Sequence, residues 1–223
     1  MSIQNNLRTV KEQISERALL VAVSKTKPNE DLMEAYNAGQ RVFGENKVQE
    51  LTGKYESLPK DIEWHMIGHL QSNKVKYIAP FVSLIHGVDS EKLLKTINKE
   101  GIKNNRKIPV LLQMHIAEED TKFGFSKSEI QSLLNAELLE SLSNVEIKGV
   151  MGMATFTRDD QQVRQEFANL KKIFDELQQT VFAKSKSFTE ISMGMSGDYL
   201  LAIEEGSTMV RIGSSIFGAR NYH

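Results

Sequence analysis

Short apolar segments alternate with amphipathic ones along the chain, and this alternation constrains the fold more than any other feature. Aliphatic runs that end at polar residues or breakers are typical of strands buried on both faces, as in parallel sheets. Eight such segments occur, at residues 19–23, 41–43, 63–67, 81–87, 109–116, 145–151, 188–192 and 209–212. Eight strands that each lead into a helix predict an α/β fold, a single (β/α)8 TIM barrel.

Helical spacing and capping residues predict the helices. Four apolar residues before the first strand recur at helical spacing: Ile3, Leu7, Val10 and Ile14. They predict an extra N-terminal helix with one buried face. Ser90 is predicted to cap a later helix, and Ser126 with Glu129 has the spacing of a capping box. Thr157 and Asp160 have the same spacing and predict the start of the longest helix.

No linker, repeat or low-complexity segment divides the 223 residues, so the sequence predicts one domain over residues 1–223. A doubly wound open sheet would produce the same alternation of strands and helices, and it is the alternative fold. Its dinucleotide fingerprint, Gly-x-Gly-x-x-Gly, does not follow the first strand here. The barrel is therefore favoured.

Composition excludes several kinds of function. The formal net charge is −1, so no overall charge attracts nucleic acid or an acidic membrane surface. Cysteine is absent, which excludes disulfides, thiolate nucleophiles and cysteine-ligated metals. No apolar run reaches the ~18 residues of a membrane span, and the polar start of the chain does not resemble a signal peptide. We therefore expect a cytoplasmic protein that binds neither nucleic acid nor membrane.

Many polar residues follow the predicted strands directly. In a barrel the carboxyl ends of all strands meet at one face, so these residues become neighbours whatever their separation in sequence. The set comprises Lys25, Lys27, Gly44, Asn46, His65, Gly68, Gln71, Asn73, Asp89, His115, Met153, Ser196, Arg211, Gly213 and Ser214. We expect the functional site among them.

Two segments rich in glycine and serine follow the seventh and eighth strands, where barrels commonly bind phosphate. The first reads S-M-G-M-S-G-D and the second reads R-I-G-S-S. Glycine lets backbone amides approach an anion, serine adds a hydroxyl donor, and the start of a helix favours negative charge. Either segment alone could be an ordinary turn, but the pair at the two expected strands indicates a phosphate site.

Lys25 follows the first strand, which neighbours the eighth in a closed barrel. A lysine amine is nucleophilic only when neutral, so its pKa near ~10.4 must be lowered by burial or by a nearby cation such as Lys27 or Arg211. An amine beside a phosphate site suits a ligand that carries an aldehyde and a phosphate, most commonly pyridoxal 5'-phosphate. Arg211 would then face the pyridine nitrogen. An ordinary cation at a strand end is the alternative interpretation of Lys25.

Five long segments resemble one protein family. They read A-V-S-K-T-K-P, A-G-Q-R-V-F-G-E-N-K-V-Q-E, W-H-M-I-G-H-L-Q-S-N-K, S-M-G-M-S-G-D and G-S-T-M-V-R-I-G-S-S-I-F-G-A-R. They are similar to segments of the pyridoxal phosphate homeostasis proteins, the YggS or PROSC family, which is related to the amino-terminal barrel of alanine racemase. The resemblance extends from about residue 19 to residue 222.

The resemblance implies a barrel that holds pyridoxal 5'-phosphate as an aldimine on Lys25. Ser196, Gly213 and Ser214 match the phosphate-binding positions, and Arg211 matches the arginine at the pyridine nitrogen. Three more residues near the predicted pocket complete the predicted cofactor site: Asn46, His65 and Met193.

The resemblance also implies a monomer whose candidate partners are pyridoxal phosphate enzymes that lack their cofactor. Lys122, in D-T-K-F-G, matches a lysine near the site entrance of some relatives, and a part in passing the cofactor on is a hypothesis.

Three functions fit these residues. The first is a binding protein that holds pyridoxal 5'-phosphate reversibly and regulates its supply without turnover. The second is an amino-acid racemase, but the opposing tyrosine of alanine racemase comes from a second domain that we do not expect here. The third is a Schiff-base aldolase that acts on a phosphorylated sugar. A metal site at His65 and His69 is disfavoured because no third ligand is evident. The sequence favours the binding protein.

Overall fold

The computed structural model describes residues 2–118 and 123–219, which form a closed barrel of parallel strands. The strands are β1 (Leu19–Val23), β2 (Val42–Glu45), β3 (Glu63–Met66), β4 (Leu84–Val88), β5 (Ile108–Gln113), β6 (Val145–Met151), β7 (Glu190–Ser192) and β8 (Met209–Ile212). Their spatial order follows the chain, and β8 pairs with β1 through Val21 with Arg211 and Ala22 with Ile212. The barrel prediction is confirmed, and the open-sheet alternative is wrong.

Helices connect successive strands on the outside of the barrel. They are α1 (Ile3–Ile14), α2 (Asn29–Asn37), α3 (Val48–Ser57), α4 (Val75–Ile78), α5 (Glu91–Lys103), α6 (Lys127–Leu133), α7 (Ala136–Ser141), α8 (Asp160–Gln179), α9 (Tyr199–Glu204) and α10 (Ser214–Phe217). A 3₁₀ turn, Ser72–Lys74, leads into α4. No helix among the described residues is long and apolar enough to span a membrane.

The predicted N-terminal helix is confirmed as α1. Ser2 caps it by accepting a hydrogen bond from the amide of Asn5. Its buried face consists of Leu7, Val10 and Ile14. The side-chain amide of Asn6 donates to the carbonyl of Ile216 at 3.0 Å, which ties α1 to α10 at the other end of the chain.

The helix starts test the predicted caps. Ser90 accepts from the amide of Leu93 at the start of α5, and Ser126 with Glu129 forms the predicted capping box of α6. The prediction for Thr157 is wrong, because Asp159 caps α8 with its carboxylate. The Asp159 carboxylate accepts from two amides of the first turn, whereas the Thr157 hydroxyl accepts from the amide of Asp159 itself.

Side chains alternate between two buried layers. One apolar cluster fills the barrel interior: Val21, Val42, Leu84, Leu111, Met151 and Met209. A larger cluster between strands and helices includes Phe43, Trp64 and Phe167. Because successive strand residues point to opposite faces, Arg211 shares the interior face of Met209. By the same rule His65 points inward, since Trp64 and Met66 belong to the outer cluster.

Candidate functional site

Lys25 lies at the mouth of the barrel, two residues beyond the end of β1, and its side chain is partly buried. Val21 faces the barrel interior, whereas Ser24 turns outward and is fully buried against Glu45. The lysine is therefore on a short loop at the carboxyl end of the parallel strands. Barrels place their ligands at this face.

A buried ionic network holds the chain on both sides of Lys25. The hydroxyl of Ser24 donates to Oε1 of Glu45 at 2.6 Å. Nζ of Lys54 donates to that oxygen, to the carbonyl of Ser24 and to Oε1 of Glu50, each at 2.8 Å. The amide of Thr26 donates to the same Glu50 oxygen at 2.6 Å. All three ammonium protons of Lys54 are used, and the lysine loop is anchored to β2 and α3.

Two features of this network are energetically costly. Thr26 has a φ of +65°, a left-handed conformation that costs a β-branched residue on the order of 1–3 kcal/mol. Oε2 of Glu45 is fully buried and has no hydrogen-bond partner among the described residues. Burial raises the pKa of Glu45, although Lys54 and Ser24 act in the opposite direction. Strain of this kind persists where the surroundings hold a site in place.

Lys27, one of the two cations predicted to influence Lys25, has its ammonium group bound to backbone carbonyls. Its Nζ donates to the carbonyl of Phe217 at 2.7 Å and to that of Ala219 at 3.0 Å. The ammonium group therefore fastens the segment that follows α10.

The two loops predicted to bind phosphate meet at the barrel mouth. The amide of Gly213 donates to Oγ of Ser196 at 3.2 Å, and the amide of Arg211 donates to the carbonyl of Gly194 at 2.9 Å. Gly194 has a φ of +95°, a conformation that glycine adopts without strain. Ser214 is exposed at the start of α10. A hydroxyl and a backbone amide from different loops thus lie side by side.

Arg211 is buried in the barrel interior. Its Nη1 donates to the carbonyl and to Oγ of Ser192 at 2.9 and 2.5 Å, and its Nη2 donates to the carbonyl of Gly152 at 3.1 Å. A guanidinium has five N–H donors, so the N–H of Nε and one of Nη2 remain without partners among the described residues. Burial lowers the pKa of Arg211 to about 10, and the group is still protonated at neutral pH.

Two buried histidines extend the contacts of Arg211. Nδ1 of His86 lies 2.9 Å from Oγ of Ser192, and its Nε2 lies 3.0 Å from Nδ1 of His65. Sequence reasoning missed His86 and the part played by Ser192. The available signal was a polar residue inside an otherwise aliphatic strand. No group of three potential metal-ligating side chains occurs in the described part of the chain.

The other predicted site residues have different positions. Asn46 is partly buried directly after β2, and its backbone packs so closely on Gly68 that a Cβ there would lie 2.6 Å from the Asn46 carbonyl oxygen. Met193 is fully buried, and its side chain belongs to the cluster between barrel and helices, not to the interior. Lys122 lies outside the described residues.

A surface groove of about 640 Å³ lies between the start of α5 and α6. Asp89 in this groove is held by His69 at 3.1 Å, and Glu129 is held in the capping box of α6. None of the predicted cofactor-site residues lines it. The groove is therefore separate from the lysine loop.

Comparisons with known proteins cover nearly the whole chain. The family model described as the alanine racemase N-terminal domain matches residues 1–221. The pyridoxal phosphate homeostasis protein of Aquifex aeolicus is 42% identical over 206 residues, which are 92% of this chain and 88% of the relative. The protein of that name from Vibrio alginolyticus is 39% identical over 236 residues, which cover 99% of each chain.

The solved structures give the same result. PipY of Synechococcus elongatus PCC7942 is 35% identical, and the match covers 97% of this chain and 100% of PipY. Its structure without PLP has a TM-score of 0.91, and its structure with PLP bound has one of 0.87. By sequence and by fold, this chain belongs to the alanine racemase N-terminal domain family and, within it, to the pyridoxal phosphate homeostasis proteins.

Proposed function

We propose that this protein binds pyridoxal 5'-phosphate through Lys25 and serves the homeostasis of this cofactor without turning over a substrate. One observation carries the proposal: the lysine loop, the Ser196–Gly213 pair and Arg211 converge at one barrel mouth. The relatives named for pyridoxal phosphate homeostasis and the PLP-bound structure of PipY support it.

The donors at the mouth match the polar groups of the cofactor. Nζ of Lys25 would attack the aldehyde carbon and form a Schiff base, while the aldehyde oxygen leaves as water. The hydroxyl of Ser196, whose oxygen accepts from the amide of Gly213, would donate to the phosphate, with Gly213 and Ser214 beside it. The unused N–H groups of Arg211 would donate to the pyridine nitrogen. Asn46 and His65 would border the ring.

Arg211 would limit how strongly the bound cofactor withdraws electrons. When bound, the cofactor supplies a ring that withdraws electrons, most effectively when its nitrogen is protonated. Arg211 keeps its proton at neutral pH, so it would donate a hydrogen bond to the nitrogen without protonating it. The ring would then be a weaker electron sink than one facing a carboxylic acid.

The described tyrosines do not supply the second acid–base group that a racemase needs. Tyr36 donates to Asp61, and Tyr199 donates to Gln13. Tyr55 stacks on Phe81, and Tyr77 is exposed on α4. Each of the four lies on a helix outside the barrel. This placement supports a binding protein.

The proposed function also indicates which proteins would receive the cofactor. Pyridoxal phosphate enzymes that lack their cofactor are the candidate recipients. A single domain, a monomeric state and a cytoplasmic location stay predictions from the sequence.

Lys25→Ala should abolish the visible absorption band of the protein mixed with pyridoxal 5'-phosphate, because the proposed Schiff base forms on the amine of Lys25. Borohydride reduction followed by peptide mass mapping should label Lys25 in the unmodified chain. Lys27→Ala is the matched control and should keep the band, since its Nζ binds carbonyls at the end of α10. A label on Lys27 or Lys122 would overturn the assignment.

Ser196→Ala should weaken the binding of pyridoxal 5'-phosphate by roughly ten- to a hundredfold, the effect of losing one hydrogen bond to a charged group. Pyridoxal, which lacks the phosphate, is the matched ligand and should bind both proteins equally. Equilibrium titration of the absorption band measures both affinities. An equal loss for both ligands would place Ser196 away from the phosphate.

A further inference from the structure

Four buried polar side chains form one hydrogen-bonded chain through the barrel interior. It runs from Arg211 on β8 to Ser192 on β7, then to His86 on β4 and His65 on β3. The successive distances are 2.5, 2.9 and 3.0 Å. The two imidazole rings are tilted by 50° with their centroids 5.1 Å apart. We call these four residues the interior chain.

Counting donors and acceptors gives the interior chain a direction. Arginine has no acceptor, so Oγ of Ser192 must accept from Nη1 of Arg211. The hydroxyl proton of Ser192 then needs an acceptor, and among the described residues only Nδ1 of His86 is in reach. A neutral imidazole with an accepting Nδ1 carries its proton on Nε2. His86 therefore donates from Nε2 to Nδ1 of His65.

The opposite direction is unfavourable. If His86 donated from Nδ1 to Ser192, the serine hydroxyl would keep a proton without an acceptor at a residue that is 0% exposed. The positively charged form of either imidazole ring is also disfavoured. Burial lowers the pKa of His65 to about 3, and burial together with His65 and Arg211 lowers the pKa of His86 well below its ordinary value.

The last proton of the interior chain is on Nε2 of His65. This nitrogen makes no hydrogen bond to the residues that the structure describes, and it is not among their fully buried unpaired atoms. It is therefore available as a donor to a ligand at the barrel mouth.

We propose that Ser192 and His86 are positioning residues that orient the guanidinium of Arg211 and hold His65 as the Nε2–H tautomer, a neutral donor toward the bound ligand. The direction of the interior chain follows from this protein's own contacts. Only the identity of the ligand that accepts from His65, pyridoxal 5'-phosphate, rests on the proposed function.

The direction is tested by ¹⁵N NMR of the histidine side chains in the cofactor-free protein at neutral pH. His65 and His86 should each show an unprotonated Nδ1 and a protonated Nε2. A protonated Nδ1 on either ring would overturn the proposal. Because no cofactor is added, this result does not depend on whether pyridoxal 5'-phosphate binds.

Matched variants separate positioning from packing. Ser192→Ala should change the Nδ1 signal of His86 and weaken retention of pyridoxal 5'-phosphate by roughly tenfold, the effect of one lost hydrogen bond. Ser207→Ala is the control, since Ser207 is also buried between β7 and β8, but its hydroxyl contacts only backbone carbonyls among the described residues. It should leave the histidine signals unchanged. Equal changes in both variants would contradict the proposal.

Variants of His86 provide a second test of whether this residue fixes the tautomer of His65. His86→Gln keeps an acceptor and a donor in one plane, so it should preserve the His65 tautomer, whereas His86→Leu should release it. Loss of the tautomer in both variants would contradict the positioning role. If the NMR result holds but neither wild type nor variant binds pyridoxal 5'-phosphate, the proposed function fails and the interior chain stands.

Discussion

Lys54→Met is expected to destabilise the fold by about 3–5 kcal/mol, the usual effect of removing one partner from a buried ion pair. The Lys54 ammonium is buried against Glu45, whose carboxylate is fully buried. Methionine would leave that carboxylate with only the Ser24 hydroxyl. Chemical denaturation followed by far-UV circular dichroism measures the loss. A change below about 1 kcal/mol would show that Glu45 does not depend on Lys54.

Two controls identify the cause. Lys47→Met removes an exposed lysine at the start of the same helix and should change stability by no more than about 0.5 kcal/mol. Glu45→Leu combined with Lys54→Met removes both charges and should recover most of the lost stability, because the buried ion is gone. If the double variant is as unstable as Lys54→Met, packing and not charge is responsible.

The loss of stability caused by Lys54→Met should be smaller at low pH than at neutral pH. Burial raises the pKa of Glu45 in the folded protein, so the folded state binds this proton more tightly than the unfolded state. Stability then falls as the pH rises from the ordinary pKa of glutamate through the folded pKa. Lys54→Met removes the main charge that opposes this shift, so the pKa of Glu45 in the folded protein should rise further above its value in the unfolded protein. The difference between variant and wild type should shrink as the pH is lowered.

Stability and function should separate in the double variant. Lys54 also binds the carbonyl of Ser24, and its partner Glu50 binds the amide of Thr26. Without Lys54, the strained turn that carries Lys25 loses an anchor even when the buried charge is gone. We expect the double variant to bind pyridoxal 5'-phosphate more slowly than wild type despite its recovered stability. Absorbance followed after mixing with pyridoxal 5'-phosphate measures this rate.

The architecture could be predicted from sequence because its signals are local and repeated. Each strand is a short aliphatic run, and eight such strands with helices between them predict a barrel. The barrel fold in turn predicts that ligands bind at the carboxyl ends of the strands. Register could not be predicted. The pairing of Val21 with Arg211 depends on closure of the whole barrel, and no local pattern encodes it.

The site was predictable where residues follow strands and unpredictable where they meet across the barrel. Lys25, Ser196 and Gly213 are at strand ends, so topology alone makes them neighbours. Glu45 ends a strand and Lys54 lies within a helix, positions where charged residues are ordinarily exposed, yet both are buried. Charged residues are rarely fully buried, so composition argues against such a pair until the partners are seen together. The interior chain could not be predicted for the same reason, because its polar residues are buried and their partners come from four different strands.

Gly149→Ala is expected to destabilise the protein by more than about 4 kcal/mol, a size reserved for clashes and other severe defects. Gly149 lies at an irregularity of β6, where Ile147 pairs with Val110 and Gly149 with Leu111, so that Lys148 is passed over. Its φ is +156°, and an added Cβ would lie 1.8 Å from the carbonyl oxygen of Glu190 on β7. Backbone cannot rotate away as a side chain can, so β6 and β7 would have to separate.

The consequence extends to the site, because the same two strands support Arg211. Its guanidinium binds Ser192 at the end of β7 and Gly152 just after β6. Separation of the strands should therefore abolish cofactor binding together with cooperative unfolding, as measured by calorimetry and absorbance. Gly53→Ala is the matched control: Gly53 is exposed within α3 with nothing within 4 Å of an added Cβ. That change should stabilise the protein by about 0.5–1 kcal/mol, because alanine favours the helix. Equal stability of the two variants would show that β6 can shift its register to accept a side chain.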